Sequence, residues 1–224
     1  LFAACHDLRQ RETAPYRADV GANERASIDE TFRILDLAGF DPERDASFYL
    51  GLELAIAGST FDARPIDREK HNPAEIAQAG GALAARLEAK LDKYACGWRE
   101  DALLVHAHAL ALVAADLDTA NVAEPFPRFV ETSVRLCVER EMRSQRRLDE
   151  PESLYPVVSF LTDSQEHFFF ELHRFNSESG RLTFAAAKAA NAAPLTALTA
   201  ALRERAAQAR TGEDVLAALR ELTR

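Results

Sequence analysis

Six side chains have the types and helical spacing from which a reactive centre could be built: Glu53, Asp101, His108, Glu141, His167 and Glu171. Carboxylates and imidazoles together suit iron or manganese, and helical bundles assemble such sites from side chains that point inward. In a centre of this kind the metal binds dioxygen while apolar neighbours keep water out. His108, Glu141, His167 and Glu171 are the expected metal ligands. Glu53 and Asp101 are the expected catalytic auxiliaries, as an extra ligand or a proton acceptor. Other chemistries lack an anchor. There is no glycine loop to cradle a phosphate, no GxSxG and no HExxH. Cys5, Cys96 and Cys137 sit in ordinary contexts with nothing nearby to activate a thiolate.

Each candidate also has a structural reading. Glu53 is the only charge in SFYLGLELAIAG, residues 47–58, which is apolar on every side. A lone ionised carboxylate inside such a helix costs several kcal/mol unless it is paired or bound to a cation, so a salt bridge to a distant arginine competes with a ligand role. Asp101 precedes His108 by seven residues, which stacks the two along one side of a helix over 98–118. His106 points the opposite way, and either imidazole can equally be a core group bonded to a carbonyl or carboxylate. Glu141 falls in the apolar face of a helix over 125–147, with Phe126, Phe129, Val130, Val134 and Cys137. No charge lies one turn from it in either direction, so its ionic partner is expected from another helix. Asp163, His167, Glu171 and Arg174 follow at i, i+4, i+8 and i+11. They can equally form an intrahelical charge ladder worth a few tenths of a kcal/mol per pair.

The elements that must position these groups are helical. On a helical wheel, residues 156–176 place Leu161, Phe168, Leu172 and Phe175 in one stripe, Phe169 to one side and Phe170 almost opposite. A helix apolar on several sides is usually central, so helices 98–118 and 156–176 are expected innermost, with the polar strip turned toward other protein. Asn23 or Ser27 is expected to cap a helix ending at Gly39, and 47–58 follows. After a loop ending at His71, Pro73 opens a helix to about Tyr94, whose Gly80–Gly81 pair permits close packing. Beyond Asn176, Gly180 and Pro194 punctuate two Ala-rich helices, and Thr211 with Asp214 makes a capping-box start for a last helix to Leu222. No strand pattern and no repeat emerge. The expected fold is all-α, a single multi-helix bundle domain of seven to nine helices over residues 1–224. It has a lead-in at 1–23, a core bundle at 24–176 and Ala-rich C-terminal helices at 177–224.

Over residues 98–176 the order and spacing resemble the heme-oxygenase-like non-heme diiron oxidases and oxygenases. In that family one helix carries Glu and, seven residues later, His; a later helix gives a single Glu; a final helix reads His-x3-Asp-x2-His. Here stand Asp101 with His108, then Glu141, then His167-x3-Glu171-x2-Arg174. The resemblance implies a heme-oxygenase-like bundle, non-heme iron and oxygen-dependent oxidation of a small organic or amino-acid-derived substrate. The first and third acids are each exchanged for the other carboxylate, and Arg174, which cannot bind metal, replaces the last histidine. The segment between the first two motifs is also short for that family. A weakened second metal position, one metal or none would follow.

Net charge is −9 with both signs interspersed and no basic block, which argues against nucleic acid or an anionic membrane as partner. No apolar run reaches the roughly 20 residues of a membrane span. Three widely spaced cysteines without a CxxC pair fit a reducing cytoplasm. A small-molecule substrate is the expected partner, and the Ala-rich tail is read as packing or homodimer surface. Two other functions stay open: a non-catalytic helical module that binds a small ligand or a protein, and a heme protein with His108 or His167 as axial ligand.

Overall fold

A computed structural model of the chain describes residues 1–9, 21–62 and 81–223. The fold is all-α as expected, with nine α-helices among the described residues. No strand was expected, yet Phe61–Asp62 pairs antiparallel with Gly81–Ala82. The described residues divide into two compact units: 1–9, 21–62, 81–119 and 172–183 form one, and 120–171 with 184–223 form the other.

In the first unit, α1 (Phe2–Cys5) precedes α2 (Ala22–Leu37), α3 (Ala46–Ser59), α4 (Ala84–Tyr94) and α5 (Ala102–Asp118). Gly39, at φ +84°, ends α2 as expected. Its start differs: Gly21 holds the N-cap, while Ser27 is buried inside the helix and its carbonyl accepts from the Thr31 hydroxyl. Small residues bring α3 and α5 together. A Cβ on Gly58 would lie 3.2 Å from the Ala111 Cβ, and Ala107, Ala111, Ala114 and Ala115 form the buried face of α5. Several bulky residues consequently point outward; Leu103 is 47% and Leu117 57% exposed. The innermost placement expected for this helix is thus replaced by a half-exposed one, because close packing selected its alanines.

The helix that ends at Tyr94 starts at Ala84; the 72–80 part of the expected helix and His71 lie outside the described residues. Gly81 is in the left-handed region at φ +70°, and a Cβ there would sit 2.7 Å from the Leu172 carbonyl oxygen. Only glycine fits that approach.

In the second unit, α6 (Phe126–Arg143) and α7 (Leu154–Ser159) pack with the last helix, α9 (Gly212–Leu222), around Val130, Cys137, Val157, Leu161 and Leu216. After α7 the chain winds as π-helix over Phe160–Ser164 and again over His167–Leu172, where it ends. Hydrogen bonds from i to i+5 turn the chain less per residue than an α-wheel assumes. Phe169 is therefore the deepest aromatic of this stretch (2% exposed), Phe168 is half-buried and Phe170 is exposed. The polar strip is open to solvent: Asp163, Glu171 and Arg174 are exposed, His167 half so. Two helices broken at Gly180 and Pro194 were expected; instead one 29-residue helix, α8 (Glu178–Ala206), carries Pro194 inside it. One lost backbone bond at proline is offset by a long run of strong helix formers. The capping box of α9 is present: Thr211 Oγ1 accepts from the Asp214 amide, and the Asp214 carboxylate accepts from the Thr211 amide.

Candidate functional site

Glu53, Asp101 and His108 belong to the first unit; Glu141, His167 and Glu171 belong to the second. Asp101 is the N-cap of α5, its Oδ1 accepting from the amides of Leu103 (2.9 Å) and Leu104 (3.3 Å). The His108 ring stands edge-on to Trp98, centroids 5.1 Å apart. Trp98 donates its Nε1–H to Asp92 at 2.8 Å and lies under the Arg99 guanidinium, which also pairs with Glu88 and Asp92. Burial pulls the His108 pKa below its ordinary value, with Glu88 acting in the opposite sense and Arg99 adding to the lowering. The neutral ring is favoured, and its buried Nε2 has no hydrogen-bond partner among the described residues. His106 is exposed.

Glu141 is fully buried, and its partners are not on another helix as the sequence suggested. Arg140, its neighbour, donates through Nε and Nη2 at 3.0 and 2.8 Å; Arg146, just past the helix end, donates through Nε at 2.5 Å and Nη2 at 3.1 Å. Burial raises the carboxyl pKa, but the hydrogen bonds from Arg146 and Arg140 outweigh this and hold it below the ordinary glutamate range. Arg140 also donates to the Pro156 carbonyl at 2.6 Å and covers the Phe160 ring. His167 Nδ1 lies 3.2 Å from Glu171 Oε2, beside a groove of about 420 Å³ that Asp163 and Glu166 also line. Those last two acids both pair with Arg203 of α8 at 2.7 Å. Among the described residues, no group of three or more His, Cys, Asp or Glu side chains is placed to hold a metal ion.

Glu53 was expected on a buried helix, but it is exposed and lines a cleft. This cleft, of about 1030 Å³, lies within the first unit and is bounded by α2, α3 and α4. Its charged lining includes Glu24 and Arg25 from α2, Glu53 from α3, and Arg86 and Lys90 one turn apart on α4. The Arg86 Nε is buried and makes no hydrogen bond among the described residues. Glu53 and Arg86 close no ion pair among the described residues. Glu88 and Asp92, at the cleft edge, are already engaged by Arg99.

No protein-family model matches the chain, and no curated protein or solved structure matches it either. Function must be argued from the site.

Sequence reasoning passed over two groups that the fold makes prominent. Arg86 carries no signal of its own, since an arginine on an amphipathic helix is unremarkable. Asp116, one of two acids in the run ALVAADLD, lies about 80° round the helix from His108 and adds nothing to the row of Asp101 and His108. It is 1% exposed, and its Oδ2 accepts from the Ser177 amide and hydroxyl while its Oδ1 accepts from the Asn176 amide. It holds Ser177 in place, and the Ser177 Oγ in turn accepts from the Gly180 amide at 2.8 Å and caps the start of α8.

Proposed function

We propose that this chain is a helical module that binds a small polar molecule in the cleft of its first unit. The observation that supports the reading is the meeting of space and unspent charge. A cleft of about 1030 Å³ is at the upper end of ligand-site volumes. It joins a buried, unpartnered arginine donor to a carboxylate on an otherwise uncharged helix. Buried donors left unsatisfied destabilise a fold and are rare, so an oxyanion at Arg86 would recover free energy.

A thermal-shift screen of small charged metabolites tests this. A ligand at 100 times its Kd adds about 2.7 kcal/mol to the stability of the folded state. The proposal requires at least one such compound, with its effect abolished in the cleft-filling Ala57→Trp variant. A screen with no active compound, or with compounds acting equally on Ala57→Trp, contradicts it.

The second proposal is oxygen-dependent oxidation at iron or manganese involving His108, Glu141, His167 and Glu171. It is supported by the approach of His167 to Glu171 at the second unit's groove. Against it stands Glu141, whose carboxylate would first have to leave two arginines. Near-stoichiometric metal in protein purified without chelator, lost in a His108→Ala/His167→Ala pair, supports this reading; a metal-free protein contradicts it.

A further inference from the structure

We infer that the ligand of the first unit's cleft is a small zwitterion, its carboxylate held by Arg86 and its ammonium by Glu53. The inference rests on the cleft being a binding site and adds the chemical class of what enters it.

Residues 46–59 hold one charge, Glu53, and it lines the cleft. Facing the same space from α4 is Arg86, whose planar guanidinium is shaped for two parallel bonds to a carboxylate. The two charges are opposite, yet they do not bridge to each other among the described residues. The nearby acids Glu88 and Asp92 do not neutralise Arg86 either, because Arg99 holds them. Lys90, four residues beyond Arg86 on the same side of α4, reinforces the positive wall, while Glu24 adds to the negative charge of the cleft. A ligand with a single charge would satisfy one of these groups and leave the other without a ligand partner. A ligand carrying both charges satisfies the two at once and adds no net charge to the cleft.

Calorimetric titration of the full chain tests this with glycine, 4-aminobutanoate and 6-aminohexanoate, whose charges are progressively farther apart. Butanoate and butylamine serve as single-charge controls. At least one amino acid should bind about tenfold or more tighter than either control, the usual effect of one charge-assisted hydrogen bond. Glu53→Gln should reduce its affinity to that of butanoate, and Arg86→Gln to that of butylamine. Arg86→Lys, which keeps the charge and loses the fork, should fall between. Circular dichroism and thermal unfolding establish that each variant is folded.

If butanoate binds as tightly as every amino acid and Glu53→Gln changes nothing, the zwitterion is overturned while the cleft remains a binding site. The same holds if none of the five probes binds but the screen yields an Ala57→Trp-sensitive ligand. If no compound of any kind binds in an Ala57→Trp-sensitive way, both readings fall. A double-mutant cycle in which Glu53→Gln and Arg86→Gln each cost the stability that their combination costs would show that the two pair with each other, and this too overturns the inference.

Discussion

Arg146 folds back on Glu141 across a left-handed turn: Gln145 sits at φ +55°, and Arg146 Nε donates to Glu141 Oε2 at 2.5 Å. The backbone repeats the contact, with the Arg146 amide donating to the Glu141 carbonyl and the Gln145 amide to that of Met142. This is the double hydrogen bond of a Schellman helix end, in which the flanking residues usually make an apolar contact. Here an ion pair replaces it and buries a carboxylate completely.

Glu141→Gln should therefore destabilise the protein by about 3 kcal/mol, the lower end for breaking a buried pair, since both guanidiniums remain 35% exposed. The folded pKa is depressed, so the ion pair's contribution is present above the ordinary glutamate value of about 4.3 and is lost as pH falls through the folded value. Urea unfolding of the two proteins should show a gap at pH 7 that closes under acid. A gap independent of pH would assign the effect to packing.

Asp116 makes the complementary case at the other end of a helix. Asp116→Ala leaves the Asn176 and Ser177 amides unpaired and should cost about 3 kcal/mol. Gly180→Ala gives a sharper test of sign. By helix propensity alone alanine would stabilise α8 by about 1 kcal/mol. A Cβ at Gly180, however, would lie 2.7 Å from the Asp116 Cγ, so the variant should melt lower than the parent in a thermal scan. A higher melting temperature would mean that Asp116 is not fixed where it holds the capping residue Ser177.

Tyr49 donates its hydroxyl to Asp36 at 2.7 Å, and burial, aided by that carboxylate, pushes its pKa up to about 12. A raised value means that folding favours the neutral phenol. Its contribution is fully present below the ordinary tyrosine value of about 10 and is lost as pH rises through about 12. The stability of the parent relative to Tyr49→Phe should be constant from neutral to mildly alkaline pH, then decline above it. Urea midpoints across that range check this, and a flat difference would contradict the buried hydrogen bond.

What the sequence made legible was local. The Thr211–Asp214 capping box, the stop at Gly39 and the all-α class depend on neighbouring residues, and they stand as read. What it concealed depends on packing. Pro194 breaks isolated helices but is carried through α8 by the alanines around it. The leucines of α5 look like core, yet its alanines are the buried face because Gly58 lets α3 approach closely. π-Winding after Phe160 has no marker in residue type and changes which phenylalanine is deepest. At the candidate site, Glu53 stood out because a lone carboxylate in an apolar helix is conspicuous. Arg86 did not, since only the surrounding helices give it a cleft.

The most direct test of the cleft as a binding site is amide chemical-shift mapping of the labelled full chain during titration with 6-aminohexanoate and with the active compounds of the screen. The account predicts saturable shifts centred on Glu53, Ala57 and Arg86, with His167 and Glu171 unmoved. Shifts centred on His167 and Glu171, or none at Glu53 and Arg86 under saturating compound, would contradict it.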